Sequence, residues 1–201
     1  PGGFGLDPYE CTGSQLYVAV TRLPRPFMER HPEGAKVGIS TYPVKPPFLA
    51  EAKNCNYLPN VMMQKEAVDM GCHFVVALHK NGCMAECSSE NIGIVSAARE
   101  LLFPGLEGIL SGTTMLRIMD LAGALVKSGD LKKVGFADIP VAAVREAPEV
   151  LIVGTTRDVT TVREFDGRLV SGGKPGPIYQ KLSALLKRDI LENHKILTPV
   201  F

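Results

Sequence analysis

The sequence has no marked excess of charge of either sign, and this absence limits its possible partners. Its 201 residues include 22 basic and 21 acidic side chains, for a formal net charge of +1. These charges are scattered in short groups, and no basic stripe of the kind that binds nucleic acid occurs. We therefore expect no nucleic-acid partner.

Long apolar runs are also missing. Hydrophobic residues make up 45% of the chain, yet no apolar run approaches the ~20 residues that a membrane helix needs. The first residues do not have the pattern of a signal peptide. We expect a soluble protein with no membrane partner, in the cytoplasm or, after processing, in an organelle. A chain of this length and composition can bury the core of one domain without covalent staples.

Paired cysteine motifs are absent too. The five cysteines are irregularly spaced and odd in number, which indicates free thiols in a reducing compartment. Cysteines and histidines do occur together between Cys72 and Cys87. No CxxC pair is present there, however, and residues 72–78 have the composition of a buried strand. We therefore predict no metal site.

The order of elements predicts an α+β domain with a mixed, barrel-like sheet surrounded by helices. Residues 1–13 have the composition of an interdomain linker, and residues 14–201 form one domain. Strands and helices alternate without the regular spacing of parallel βαβ units. Strands are predicted over residues 14–21, 36–41, 74–78, 134–136, 150–153, 159–162 and 168–170. One further strand is predicted to start at residue 84 and to continue through residues 92–95. Helices are predicted over residues 58–70, 113–127 and 177–190.

The tripeptide Gly-Thr-Thr occurs twice, at residues 112–114 and 154–156. The first copy directly precedes a predicted helix, whose free amides and positive dipole end favour a phosphate group. Threonine is also a favoured N-cap residue, so helix capping alone is the competing explanation. The second copy follows an apolar strand, at a position where loops commonly hold ligands.

Lys53 and Glu86 are the residues that most suggest chemistry. A lysine amine can form a Schiff base with an aldehyde cofactor, and a carboxylate can keep a pyridine nitrogen protonated. Lys53 lies between apolar residues 48–50 and the Asn-Tyr-Leu-Pro run at 56–59. A buried, readily deprotonated amine is therefore feasible there. Taken alone both residues are ordinary, since most lysines are solvated surface charges.

Four segments occur in an order that supports a chemical role for Lys53 and Glu86. They are Lys53 with Asn56-Tyr57-Leu58 and Glu66-Ala67, then Ala85 to Asn91, Ile109 to Met115, and Gly154 to Val162. In this order they resemble the fold-type IV aminotransferases, the class that contains branched-chain and D-amino-acid aminotransferases and aminodeoxychorismate lyase.

The resemblance implies pyridoxal 5'-phosphate as the cofactor. Lys53 would be its Schiff-base lysine and the base that moves the substrate α-proton. Glu86 would hold the pyridine nitrogen, and Tyr57 would contact the side of the ring that carries the hydroxyl.

The resemblance also implies how anionic groups are bound. Thr113, Thr114, Gly154 and Thr155 would hold the cofactor phosphate, and Thr156 would lie near the substrate carboxylate. The sequence departs from the family pattern at several positions. Threonine replaces isoleucine at residue 113, methionine replaces arginine at 115, and threonine replaces proline at 161, while Cys87 takes a glycine position.

The reaction implied is transfer of an amino group between an amino acid and a 2-oxo acid, by a homodimer. Two alternatives stay open: a lyase of the aminodeoxychorismate type on the same cofactor, and a non-catalytic relative that keeps the fold. The resemblance further implies a small domain of roughly a hundred residues before residue 1. Residues 14–201 would then be the cofactor-binding large domain.

Overall fold

A computed structural model describes residues 5–14 and 16–198 of the protein, and its centre is a closed sheet. The strands are β1 (Ala35–Ile39), β2 (Phe74–Leu78), β3 (Met84–Cys87), β4 (Asn91–Val95), β5 (Glu100–Phe103), β6 (Lys133–Phe136), β7 (Glu149–Gly154), β8 (Asp158–Phe165) and β9 (Arg168–Leu169). They pair in the order β3-β2-β1-β8-β7-β4, and β4 pairs back to β3, which closes a six-stranded barrel.

The barrel is mixed in direction, as predicted. β1 runs parallel to both β2 and β8, whereas the other pairings around the ring are antiparallel. β5 and β6 extend the sheet outward from β4, and β9 pairs with β8. The α+β class with a mixed barrel-like sheet is thus confirmed.

The strands read as apolar runs because both of their faces are covered. In β7, Val150 and Ile152 belong to the cluster that fills the barrel, to which all six ring strands contribute. The alternate residues Leu151 and Val153 pack outward against helices. Strands buried on both faces lose the alternation of apolar and polar residues.

Seven helices lie around the described barrel. They are α1 (Phe27–Arg30), α2 (Pro47–Ala50), α3 (Leu58–Asp69), α4 (Thr113–Leu121), α5 (Gly123–Lys127), α6 (Val141–Glu146) and α7 (Pro177–Glu192). α4, α5 and α7 share one cluster against the outer face, and α3 packs through Met63 and Ala67 onto β2. None of these helices combines the length and the apolar composition needed to cross a membrane.

α3 is fixed at both ends. Pro59 lies in its first turn, where a missing amide costs nothing. Just beyond its end, Gly71 takes a φ of +66°, which favours glycine. On its side, the Glu66 carboxylate accepts hydrogen bonds from the Ser40 hydroxyl (2.6 Å) and the Thr41 amide (2.9 Å), which tie the helix to the end of β1.

Three of the predicted elements need correction. Residues 14 and 16–21 are not a strand: they are exposed, and no described strand pairs with them, while Gln15 lies outside the described residues. An apolar alternation without a neighbouring strand does not form a stable strand by itself. The helix predicted over residues 113–127 is two helices, because the chain tightens at Ala122 and restarts at Gly123.

The third correction concerns residues 92–95, which do not continue β3. Residues 88–90 form a turn, and the chain reverses into β4, so that Glu86 pairs with Asn91. The strand β5 and the helices α1, α2 and α6 were not predicted. The reversal matters most, because it brings the two ends of the Ala85 to Asn91 segment side by side.

Candidate active site

A pocket lies where the segment from residue 45 to 60 covers the turn between β3 and β4. Lys53, Tyr57 and Glu86 all line it, together with Lys45 and Asn60. The space in this pocket that water-sized atoms can occupy is about 30 Å³. A ligand of more than a few atoms must therefore extend through the open side of the pocket.

Lys53 lies at the rim of this pocket. Its Nζ donates a hydrogen bond to the Tyr57 hydroxyl oxygen (2.7 Å) and sits 5.3 Å from the centre of the Tyr57 ring. Lys53 is exposed, so the structure does not give it the buried setting that its apolar neighbours in the sequence make feasible. It belongs to an irregular segment between α2 and α3, in which residues 51–53 and 55–57 are exposed.

Glu86 lies at the bottom of the pocket and is only 8% exposed. One carboxylate oxygen accepts a hydrogen bond from the Leu110 amide (2.9 Å), and the other lies 4.0 Å from Lys45 Nζ. Burial raises the pKa of Glu86, while the Leu110 N–H and then the Lys45 and Lys53 cations oppose that rise. The site thus holds a carboxyl group whose proton affinity is above its ordinary value.

Asn60 joins α3 to the turn after β3. Its side-chain amide donates to the Ser88 carbonyl, and its Oδ1 is buried without a partner among the described residues. Buried polar atoms are nearly always paired. Asn60, which lines the pocket, thus contains an unpaired acceptor atom that is itself buried.

The first Gly-Thr-Thr copy begins α4. Gly112 is the N-cap, and no side chain in the described chain accepts from the amides of Thr113, Thr114 or Met115. Capping by a threonine hydroxyl, the competing explanation, is therefore wrong. The close approach of Asn91 favours glycine at position 112, since a Cβ there would lie 2.0 Å from Asn91 Oδ1.

The second Gly-Thr-Thr copy forms the turn between β7 and β8. Thr155 and Thr156 are exposed at its tip. Gly154 packs on Glu90, where an added Cβ would lie 3.5 Å from the glutamate Cγ. The next residue, Arg157, pairs with Glu90 at 3.2 Å. The turn therefore rests against the same β3–β4 reversal that carries Glu86.

The structure brings together only part of the predicted site. Lys53, Tyr57 and Glu86 share the pocket. The predicted anion-binding residues do not line it; these are Thr113, Thr114, Gly154, Thr155 and Thr156. They border it through two residues that do, since Asn91 touches Gly112 and Glu90 touches Gly154. Their role stays a prediction.

Sequence reasoning missed four residues of this region. Glu90 and Asn91 stand inside the segment that resembles the family, so position alone could have drawn attention to them. Lys45 lies in a proline-rich loop with no distinguishing pattern, and Asn60 carried no signal beyond its place in α3. Separately, the five cysteines are free thiols, and no group of three metal-binding side chains occurs in the described residues.

Comparisons with known proteins place the chain in one family. Residues 1–165 match the family model described as amino-transferase class IV. The chain is 36% identical over 191 residues to the chloroplastic D-amino-acid transaminase of Arabidopsis thaliana. That match covers 94% of this chain and 50% of the relative.

Solved structures agree. The branched-chain aminotransferase of Thermoproteus uzoniensis, solved with norvaline, superposes with a TM-score of 0.73 at 29% identity, over 84% of this chain and 56% of that one. The branched-chain amino acid aminotransferase of Escherichia coli gives a TM-score of 0.70 at 27% identity, over 78% of this chain and 52% of that one. The chain thus spans about half the length of the relatives it matches.

Proposed function

The chain belongs to the class IV aminotransferases, and from this we propose that it is the cofactor-binding part of an enzyme dependent on pyridoxal 5'-phosphate. The reaction transfers an amino group between an amino acid and a 2-oxo acid, of the D-amino-acid or branched-chain type. The observation that carries the proposal is the shared pocket, where an exposed lysine amine and a buried carboxylate face one ligand space.

The donor set of the pocket fits this cofactor. The cofactor supplies an aldehyde and a pyridinium ring that withdraws electrons. Lys53 has an accessible amine to hold the aldehyde carbon, and Glu86 has an oxygen not bonded to the Leu110 amide to hold a proton at the ring nitrogen. The unmatched amides of α4 can bind a phosphate.

Lys53 has two roles in this proposal. It attaches the cofactor, and when its amine is free it takes the α-proton of the substrate. The Tyr57 hydroxyl, 2.7 Å away, orients the amine toward the pocket. The burial that raises the pKa of Glu86 helps it to share a proton with a bound ring.

The anion sites follow the same logic. Thr113, Thr114, Gly154 and Thr155 hold the phosphate, and Thr156 lies toward the substrate carboxylate. The free first-turn amides of α4 support this assignment. We further propose that residues 1–13 link this domain, residues 14–201, to a small domain in the whole protein, which acts as a homodimer. Its location is the cytoplasm or an organelle, and the chloroplastic relative supports the organelle.

Visible absorption spectroscopy tests the proposal. Addition of pyridoxal 5'-phosphate should give a shifted absorption band that Lys53→Ala abolishes, while Lys127→Ala, an exposed lysine in α5, leaves it unchanged. The bound form is then titrated with L- and D-amino acids, whose transamination is followed as 2-oxo acid, and in a separate arm with aminodeoxychorismate, from which a lyase releases pyruvate. A band independent of Lys53 would overturn the proposal. Pyruvate release from aminodeoxychorismate in place of amino transfer would favour the lyase.

A further inference from the structure

An ion pair outside the proposed chemistry connects the two sides of the site. Glu90 ends the turn after β3, and its side chain is only 2% exposed. Its Oε1 accepts a hydrogen bond from Arg157 Nε (3.2 Å), the residue that follows the Gly154 to Thr156 turn. The Arg157 guanidinium carbon also lies 5.5 Å from the centre of the Phe74 ring, in the barrel core.

Glu90 depends on this pair more than Arg157 does, because the arginine side chain is 25% exposed and the glutamate is buried. A buried carboxylate left without a cation is strongly unfavourable, so Glu90 holds Arg157 in place. The remaining Glu90 contacts are local: the Ser89 amide donates to Oε2 (3.1 Å) and the Ser89 hydroxyl donates to Oε1 (2.9 Å). Arg157 is therefore the link from this carboxylate to the β7–β8 turn.

The turn itself has few other restraints. The Arg157 amide donates to the Gly154 carbonyl (3.0 Å), and the Thr160 hydroxyl donates to the Arg157 carbonyl (3.0 Å). Both bonds lie within the hairpin and do not fix it against the pocket. At the base of the turn, Val153 of β7 is paired with Asn91 of β4, which lines the pocket. Beyond that pairing, contact of the turn with the pocket wall comes from Gly154 packing on Glu90 and from the ion pair.

We propose that Glu90 and Arg157 are positioning residues, whose ion pair holds the Gly154 to Thr156 turn against the wall of the cofactor pocket. The pair places the turn amides and hydroxyls where they meet the anionic groups of cofactor and substrate. The inference rests on the proposed function. It differs from the simpler interpretation in which Arg157 itself binds the phosphate through its terminal nitrogens, while its Nε donates to Glu90.

Glu90→Gln separates the two readings. If Arg157 is a direct phosphate ligand, neutralising Glu90 frees its charge, and binding stays equal or tightens. If the pair positions the turn, the cofactor Kd should rise about 10-fold. Losses of this size are typical when a residue that orients a ligand-binding residue is removed. The cofactor is pyridoxal 5'-phosphate, and the Kd is read by visible absorbance.

Hydrogen exchange supplies a readout that needs no cofactor. In cofactor-free Glu90→Gln and Arg157→Gln proteins, amides of peptides covering residues 153–157 should exchange about 10-fold faster, since local openings are governed by such contacts. Arg157→Lys, which keeps the charge, should restore most of the protection. Arg145→Gln breaks an exposed ion pair with Asp166 and should change neither exchange in this turn nor the Kd.

The outcomes are decisive in each case. If a single variant does not fold, Glu90→Gln/Arg157→Gln removes both charges and leaves no unpaired one; the proposal requires fast exchange and a raised Kd there as well. Unchanged exchange in a folded variant, or a Kd equal to or below wild type in Glu90→Gln, would overturn it. Failure of wild type to bind pyridoxal 5'-phosphate overturns the proposed function instead, and the exchange measurement still decides the inference.

Discussion

The helices α7 and α4 begin in opposite ways. At the start of α7, Glu149 reaches over from β7, and its two carboxylate oxygens accept hydrogen bonds from the amides of Ile178 (2.9 Å) and Tyr179 (2.8 Å). Pro177 has no amide to satisfy. At the start of α4, the first-turn amides have no side-chain acceptor in the described chain. The N-terminus of α7 therefore binds a carboxylate of the protein itself, whereas the N-terminus of α4 binds none among the described residues.

This difference between the two N-termini distinguishes a helix that only packs in the fold, α7, from a helix that we assign to the cofactor site, α4. A helix N-terminus stabilises a negative charge, and a protein that needs the helix only for packing can supply that charge itself. Burial raises the pKa of Glu149, and the two amide hydrogen bonds oppose the rise. The same arrangement at α4 would occupy the position that we assign to the cofactor phosphate.

The largest effect is expected when α4 is given an anion of its own. Thr114→Asp places a carboxylate in the first turn, where it repels a bound phosphate, since opposed like charges cost several kcal/mol. The cofactor Kd should rise about 100-fold or more, while the thermal midpoint is unchanged or higher. Absorbance titration and a melting curve measure both, with Thr114→Ser as the control. Undiminished binding by the aspartate variant would exclude α4 as the phosphate site.

Removing the built-in anion of α7 should have the reverse effect. Glu149→Ala leaves two amides unpaired in a buried place, which costs about 2–3 kcal/mol and lowers the thermal midpoint by roughly 5–10 °C. Glu149→Gln keeps one acceptor oxygen and should cost less. The cofactor Kd of the folded variants should match wild type. A weakened Kd would show that α7 also serves the site.

The glycine that precedes each helix gives a third, smaller comparison. An added Cβ would meet Asn91 Oδ1 at 2.0 Å in Gly112→Ala, and Glu149 Cδ at 2.2 Å in Gly176→Ala. Both changes should destabilise the fold by about 1–3 kcal/mol, as overpacking does. Only Gly112→Ala should weaken cofactor binding, because Asn91 holds the Leu110 carbonyl (3.0 Å) beside Glu86. If the two variants changed the cofactor Kd equally, the N-terminus of α4 would have no special role in binding.

The smallest effect concerns the contact that joins the two helices. Arg117 of α4 donates to Asp189 of α7 (2.8 Å), and this hydrogen bond is the main cause that lowers the pKa of Asp189 from 3.8 to about 2. A lowered acid pKa stabilises the fold above pH 3.8, and the benefit is lost as the pH falls toward about 2.

Asp189→Asn should therefore lower the thermal midpoint near neutral pH by a modest amount. The difference from wild type should shrink as the pH falls from about 4 to about 2, in melting curves taken across that interval. A difference that does not change with pH would mean that packing, and not charge, joins the helices.

The elements that the sequence predicted well are those with local causes. α3 has its proline and glycine ends, the β2–β3 hairpin has its Asn81-Gly82 turn, and α7 has its proline start. The apolar run of β7 is explained by two buried faces. These signals lie within a few residues of the structure they specify.

What could not be predicted depends on residues far apart in the chain. The pairing of β1 with β8, the ion pair between Glu90 and Arg157, and the approach of Lys45 to Glu86 have no local pattern. The exposure of Lys53 could not be predicted either, because flanking apolar residues do not tell which side of a segment is covered. Residues 16–21 have the composition of a strand, but composition supplies no neighbour.

The closure of the barrel has a consequence for how the chain folds. Ala35 of β1 pairs with Val162 of β8, so the ring cannot close until most of the domain has been synthesised. Translation adds about 5–20 residues per second, so one edge of β1 stays unpaired for roughly ten seconds during synthesis. Such long-range pairings slow folding and leave strand edges exposed to other chains. Until β8 emerges, the edge of β1 that β8 will cover is therefore open to pairing with another chain.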